Sequence, residues 1–170
     1  MYELKIPKAR VAVLIGKKGE TKRLIERSVK CKLDISKEGD VIIYGEGLEG
    51  YISEKIVKAI GRGFNPLVAL NLINEAYILE VIDIRDFCGS NVKKFKRIKA
   101  RVIGSKGKAR KIIERLTGCD FVIYGRTASL IGKSDVIHIA REGVEKLLAG
   151  SPHGNVYGFL ENEMKKLKEK

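Results

Sequence analysis

The chain has 170 residues, 44% of them hydrophobic, which is enough for a packed core and too many for wholesale disorder. Lys and Arg number 34 against 21 Asp and Glu, a formal net charge of +13. With a pI near 9.7, this is the electrostatic footprint of a nucleic-acid binder. No run of about 18 apolar residues is present, so no membrane-spanning helix is expected. The opening Met1-Tyr2-Glu3-Leu4-Lys5-Ile6-Pro7 lacks the apolar stretch of a secretion signal. Cys31, Cys88 and Cys119 form no CxxC pair and no Cys/His cluster. That argues against zinc and suits a reduced, cytoplasmic chain with buried thiols.

The elements follow in order. Tyr2 to Ile6 alternates polar and apolar residues, as a half-buried strand does, and Pro7 ends it. Val11, Leu14 and Ile15 mark a short helix, which Gly16-Lys17-Lys18-Gly19 interrupts. Thr21, Leu24, Ile25, Ser28 and Val29 share one face of a second helix. Leu33 and Ile35 alternate in a strand, 37–40 reads as a turn, and Val41 to Tyr44 is a buried strand. A long helix spans about Leu48 to Ile60, and Asn65-Pro66 reads as the cap and first turn of a short extra helix. After a connector near 74–76, a strand runs from Ile78 to Ile84 and a helix from about Asn91 to Ile103. Gly104-Ser105-Lys106-Gly107 interrupts it, and a helix through Ala109, Ile112, Ile113, Leu116 and Thr117 follows. Strands near 121–124 and 129–131, a helix over 135–148, and a last helix with Leu160, Met164 and Leu167 complete the chain.

The two halves are copies. A shift of 88 residues lays Ile15-Gly16-Lys17-Lys18-Gly19 on Ile103-Gly104-Ser105-Lys106-Gly107, Leu24-Ile25-Glu26-Arg27 on Ile112-Ile113-Glu114-Arg115, and Cys31 on Cys119. The period is too long for a stacked solenoid, so two domains are expected, 1–76 and 77–170, the second including the C-terminal helix.

Each glycine loop sits where a helix begins. Free backbone N–H groups and the helix dipole favour an anion there, and a loop residue without Cβ lets a phosphate-sugar strand come close. Lys17, Lys18, Ser105 and Lys106 add donors, and Lys22 and Arg23 follow the first loop. From Lys93 to Lys111 the chain has ten Lys or Arg and no acid, among them Lys96, Arg97, Arg101, Lys108, Arg110 and Lys111. Ile15, Ile35, Ile103 and Ile123 are candidates for an apolar floor under unstacked bases. The second loop is the stronger candidate for affinity, because Glu20 stands beside the first.

The order strand, helix, GxxG, helix, strand, strand, helix resembles the type I KH domain, whose loop clamps about four nucleotides by their backbone. The fold expected is therefore α+β: two type I KH domains, β-α-α-β-β-α, each a three-stranded antiparallel sheet packed on helices, with extra helices after each domain. The segments Lys96-Arg97-Ile98-Lys99-Ala100-Arg101-Val102-Ile103-Gly104, Gly107-Lys108-Ala109-Arg110 and Tyr124-Gly125-Arg126-Thr127-Ala128-Ser129-Leu130-Ile131-Gly132 narrow the likeness. With them the whole chain resembles the tandem-KH rRNA-processing family called Dim-two or partner-of-Nob, in its short archaeal form. The resemblance implies binding of single-stranded rRNA at the 3′ end of the small subunit, in support of its maturation. It implies as partners a Nob-type endonuclease, the rRNA dimethyltransferase and the alpha subunit of initiation factor two. Eukaryotic members have a degenerate first loop. Here it is intact, so both domains are expected to bind RNA.

No catalytic residue, cofactor or metal is expected. Gly45-Glu46-Gly47-Leu48-Glu49-Gly50 matches a dinucleotide fingerprint, but Glu46 and Glu49 would repel a pyrophosphate. These glycines are read as a strand-to-helix turn. Glu80, Asp83 and Asp86 could suggest a metal nuclease, yet on a strand they fall on alternate faces, and His138 has no partner in sequence. The alternatives are a generic KH or exosome-type accessory protein, a phosphate-handling nuclease, and a protein-binding platform.

Overall fold

The computed structural model describes residues 1–170, which divide into two units, Met1–Tyr77 and Ile78–Lys170. In the first, β1 (Tyr2–Lys5) leads through a single turn at Lys8–Arg10 into α1 (Val11–Ile15). Then come α2 (Glu20–Val29), β2 (Lys32–Ile35), β3 (Asp40–Tyr44), α3 (Gly47–Gly61) and α4 (Pro66–Ala69). The strands form an antiparallel sheet in the order β1-β3-β2, with Tyr2 opposite Ile43 and Lys32 opposite Tyr44. Alternation puts Leu33, Val41 and Ile43 on the helix-covered face, where they are buried with Leu14, Ile25, Ile56 and Ile60. Asn65 caps α4 through its side chain, which accepts from Leu67 N at 2.9 Å. In the Gly45–Gly50 segment a Cβ on Gly50 would lie 2.3 Å from the Tyr2 ring, so close packing of β1 against the turn into α3 accounts for that glycine.

The second unit repeats the plan. It contains β4 (Tyr77–Asp83), α5 (Val92–Ile103), α6 (Lys108–Thr117), β5 (Asp120–Tyr124), β6 (Thr127–Lys133), α7 (Ile137–Leu148) and α8 (His153–Lys168), with strand order β4-β6-β5. Phe121, Leu130, Ile113, Val102 and Val144 form its core. Helix α8 packs on α6 and α7, and Leu160 enters that contact fully buried beside Gly143. Chain reversals account for what the periodicity did not show. Asp83 caps a single turn at Ile84–Phe87 by accepting from Arg85 N at 2.9 Å, and β6 runs the full length Thr127–Lys133.

The repeat extends to polar devices. Glu26 accepts a hydrogen bond from Leu33 N at 2.8 Å, and its equivalent Glu114 accepts from Phe121 N at 3.1 Å. Each carboxylate ties a helix to the strand that follows it. Cys31 and Cys119 are buried at equivalent positions, and burial pushes both thiols up. No helix is long and apolar enough to cross a membrane.

Candidate nucleic-acid interface

The two glycine loops share one backbone shape despite different inner residues. Gly16 (φ 75, ψ 174) ends α1 with its N–H on Ala12 O at 2.9 Å, and Gly104 (φ 78, ψ 167) ends α5 on Ala100 O at 2.9 Å. Lys18 and Lys106 stand at φ 53 and 54, and Gly19 and Gly107 at φ 76 and 73. Gly19 and Gly107 N–H close the loops on Gly16 O and Gly104 O, at 3.2 and 3.1 Å. The lysines occupy left-handed backbone that costs a side-chain-bearing residue roughly 1 kcal/mol.

The glycines do different jobs. A Cβ on Gly16 would lie 2.2 Å from Thr21 Oγ1, and one on Gly104 would lie 2.6 Å from Ala109 N. The first glycine therefore lets two helices meet. A Cβ on Gly107 would meet nothing within 4 Å, and one on Gly19 only the mobile end of Arg23. The second glycine thus leaves the outer side of the loop bare where a backbone could approach. Neither α2 nor α6 has a side-chain cap on its first turn, so those N–H groups keep their capacity for an anion. Glu20 lies in the first turn of α2, whereas that of α6 has no acid.

Ser105, Lys106, Lys108 and Lys111 come together in one open groove. Arg115 and the half-buried Ile112 join them, continuing the helical spacing from Lys108 that could have revealed them in the sequence. Lys17, Lys18 and Arg23 are exposed, and Lys22 is half-buried. Ile15, Ile35, Ile103 and Ile123 are all half-buried, at the ends of α1 and α5 and on the edge strands β2 and β5.

Two of the basic residues have structural work instead. The Arg101 guanidinium donates to Leu147 O at 2.7 Å and to Ser151 O, closing the C-terminal end of α7, while His153 Nε2 donates to Arg101 O at 2.9 Å. Arg10 does the same in the first unit, donating to Ile60 O and Phe64 O at 2.8 Å each. A guanidinium on orphan helix carbonyls makes charge-assisted bonds at the negative end of the dipole. Arg110 pairs with Glu114 at 2.6 Å, which orients the carboxylate that holds Phe121 N. Lys96 and Arg97 are exposed, but Arg97 borders a depression with Arg101 and the end of α7, apart from the groove at the loop. Of the acids weighed as metal ligands, Glu80 pairs with Arg141 and Asp83 caps its turn, while His138 lies exposed on α7.

Two αα-GxxG units, each on a three-stranded antiparallel sheet, define a protein of two type I KH domains. Residues 78–165 match the family profile described as eukaryotic type KH-domain, type I, and residues 1–62 match the KH domain profile. A KH domain-containing protein of Methanocaldococcus jannaschii is 48% identical over 97% of this chain and 74% of its own length. The pre-rRNA-processing protein PNO1 of Saccharomyces cerevisiae is 33% identical over 67% of this chain. That match takes in 42% of PNO1, so the chain spans less than half of this fungal relative. The crystal structure of Dim2p from Pyrococcus horikoshii OT3 superposes with a TM-score of 0.87 at 43% identity, covering 95% of this chain and 98% of that one. A chain in the a/eIF2α–aDim2p–rRNA complex from the same organism gives 0.89 at 43% identity, covering 97% and 94%. The chain belongs to the tandem-KH family of Dim2 and PNO1, in its archaeal form.

Proposed function

We propose that the chain is a single-strand RNA-binding factor of ribosome assembly that holds the 3′-end region of small-subunit rRNA through both GxxG loops and assists its maturation without a catalytic step of its own. The observation that carries this reading is the recurrence of one strained loop. Lys18 and Lys106 stand within a degree of each other in φ, each ahead of a helix whose first turn has no side-chain cap. Backbone strain of this kind persists where the surroundings enforce it, and it collects at ligand clamps. The Pyrococcus relative crystallised with rRNA and the initiation-factor alpha subunit supports rRNA as ligand and that subunit as partner. A Nob-type endonuclease and the rRNA dimethyltransferase complete the expected partners, and an assembly factor of this kind works in the cytoplasm.

Charge reversal tests the reading. Lys17→Asp with Lys18→Asp, and separately Ser105→Asp with Lys106→Asp, are each expected to weaken binding of a labelled rRNA 3′-end oligonucleotide at least tenfold, with circular dichroism unchanged because the loops are exposed. Unchanged affinity with both pairs combined would sink the proposal. Two four-nucleotide clamps predict protection of about eight nucleotides in all.

A further inference from the structure

The chain has three non-glycine residues at positive φ, and all three are lysines: Lys18 and Lys106 in the loops, and Lys30 (φ 58, ψ 55) where α2 ends. The position after a helix is where glycine is ordinarily found, and the second unit has Gly118 there at φ 72. The first unit retains a cation at that point against backbone strain.

Lys30 borders a shallow basin of about 410 Å³, lined also by Arg23, Glu26, Arg27, Cys31, Lys32 and Tyr44. Tyr44 ends β3 with half of its surface exposed, directly opposite Lys32 in the strand register, and directly opposed residues share one face of a sheet. Arg23 and Arg27 are a helical turn apart on α2, and both are exposed. None of Arg23, Arg27, Lys30 and Lys32 enters an ion pair. The one acid, Glu26, is occupied by Leu33 N. An exposed aromatic ring among unpaired cations is the chemistry of a nucleotide site, with a π-face for a base and donors for its phosphate.

We propose that the far end of α2 is a second RNA site of the first domain, which stacks one base on Tyr44 and holds the adjoining phosphates on Arg27, Lys30 and Lys32, with Arg23, whose guanidinium lies beside Gly19, joining it to the loop. It takes a nucleotide of the same strand beyond the four held at the loop, and it rests on the RNA-binding reading above. The second domain lacks it. Shifted by 88 residues, Lys30 and Lys32 become Gly118 and Asp120, and the residue opposite Asp120 on β6, where Tyr44 stands opposite Lys32 on β3, is the buried Ile131. The cradle therefore distinguishes two domains that are otherwise built alike.

The test uses the full chain carrying Ser105→Asp and Lys106→Asp, so that the first domain dominates, with fluorescence anisotropy on an RNA tetramer and a decamer. Tyr44→Ala is expected to lower decamer affinity about tenfold and leave the tetramer unchanged, and Tyr44→Phe to restore it. Lys30→Gly is expected to weaken the decamer several-fold while raising Tm, since it removes a cation and relieves strain. Decamer binding that is indifferent to Tyr44→Ala and Lys30→Gly but lost in Lys17→Asp/Lys18→Asp overturns the second site and leaves the loop reading standing. Equal loss on tetramer and decamer overturns it as well. Decamer affinity that survives loop reversal but falls with Tyr44→Ala removes the loop and keeps the cradle. A parent that binds neither oligonucleotide removes both.

Discussion

At the scale of single residues, the paired glycines of each loop separate by what a methyl group would strike. Gly104 combines a φ of 78 and ψ of 167 with a neighbour 2.6 Å from any Cβ, so both backbone and packing reject a side chain. Such a conformation is essentially confined to glycine. Gly104→Ala is expected to cost about 2–4 kcal/mol in chemical denaturation, strain and overpacking together. Gly107→Ala meets open space and carries only the left-handed backbone penalty, about 1 kcal/mol. Equal costs for the two would refute this division of labour. Arg101 makes a second contrast. Its guanidinium closes α7, so Arg101→Ala is expected to lower the stability of the second domain by about 2 kcal/mol. Lys111→Ala, exposed at the loop groove, should stay within about 0.5 kcal/mol in the same measurement and act on RNA affinity instead.

At the scale of elements, helix α8 is the addition that the KH plan does not require. It covers α6 and α7, and Leu160 lies fully buried where Gly143 lets the two helices close. Leu160→Ala is expected to destabilise the second domain by about 2–5 kcal/mol, seen as a fall in the denaturant midpoint at unchanged slope. A loss under about 1 kcal/mol would show α8 to be dispensable for the core. The helix reaches its place through residues that also serve α5. His153, at its first turn, donates to Arg101 O, while the Arg101 side chain spans to Ser151 just before α8. One arginine thus joins the C-terminal ends of α5 and α7 to the start of α8.

At the scale of the whole molecule, charge is the leading quantity. A net +13 on 170 residues makes RNA affinity strongly dependent on salt. Six phosphate contacts on a single strand give a slope of roughly −4 in log K against log salt. Reversing Lys17 and Lys18 is expected to reduce that slope by one or more, since both contacts are lost. A slope near zero would mean that apolar contacts, and not phosphates, hold the strand.

The amino-acid sequence alone determined that there are two copies, their order of elements, and the place of both loops. These are local and periodic properties: helical phase at Leu24-Ile25 and Ile112-Ile113, glycines at fixed offsets, and an 88-residue repeat that makes chance unlikely as their source. It also placed Cys31 and Cys119 at matching positions, where the fold buries both. Only the tertiary structure decided which cations are free. Arg101, Arg110 and Lys111 read alike within an acid-free stretch, yet the first two are bound to carbonyls and a carboxylate that the fold brings to them, from as far as 50 residues away, while Lys111 is left exposed. The gathering of Lys30, Lys32 and Tyr44 into one basin depends on strand register and on a left-handed backbone, neither of which is written in composition or spacing.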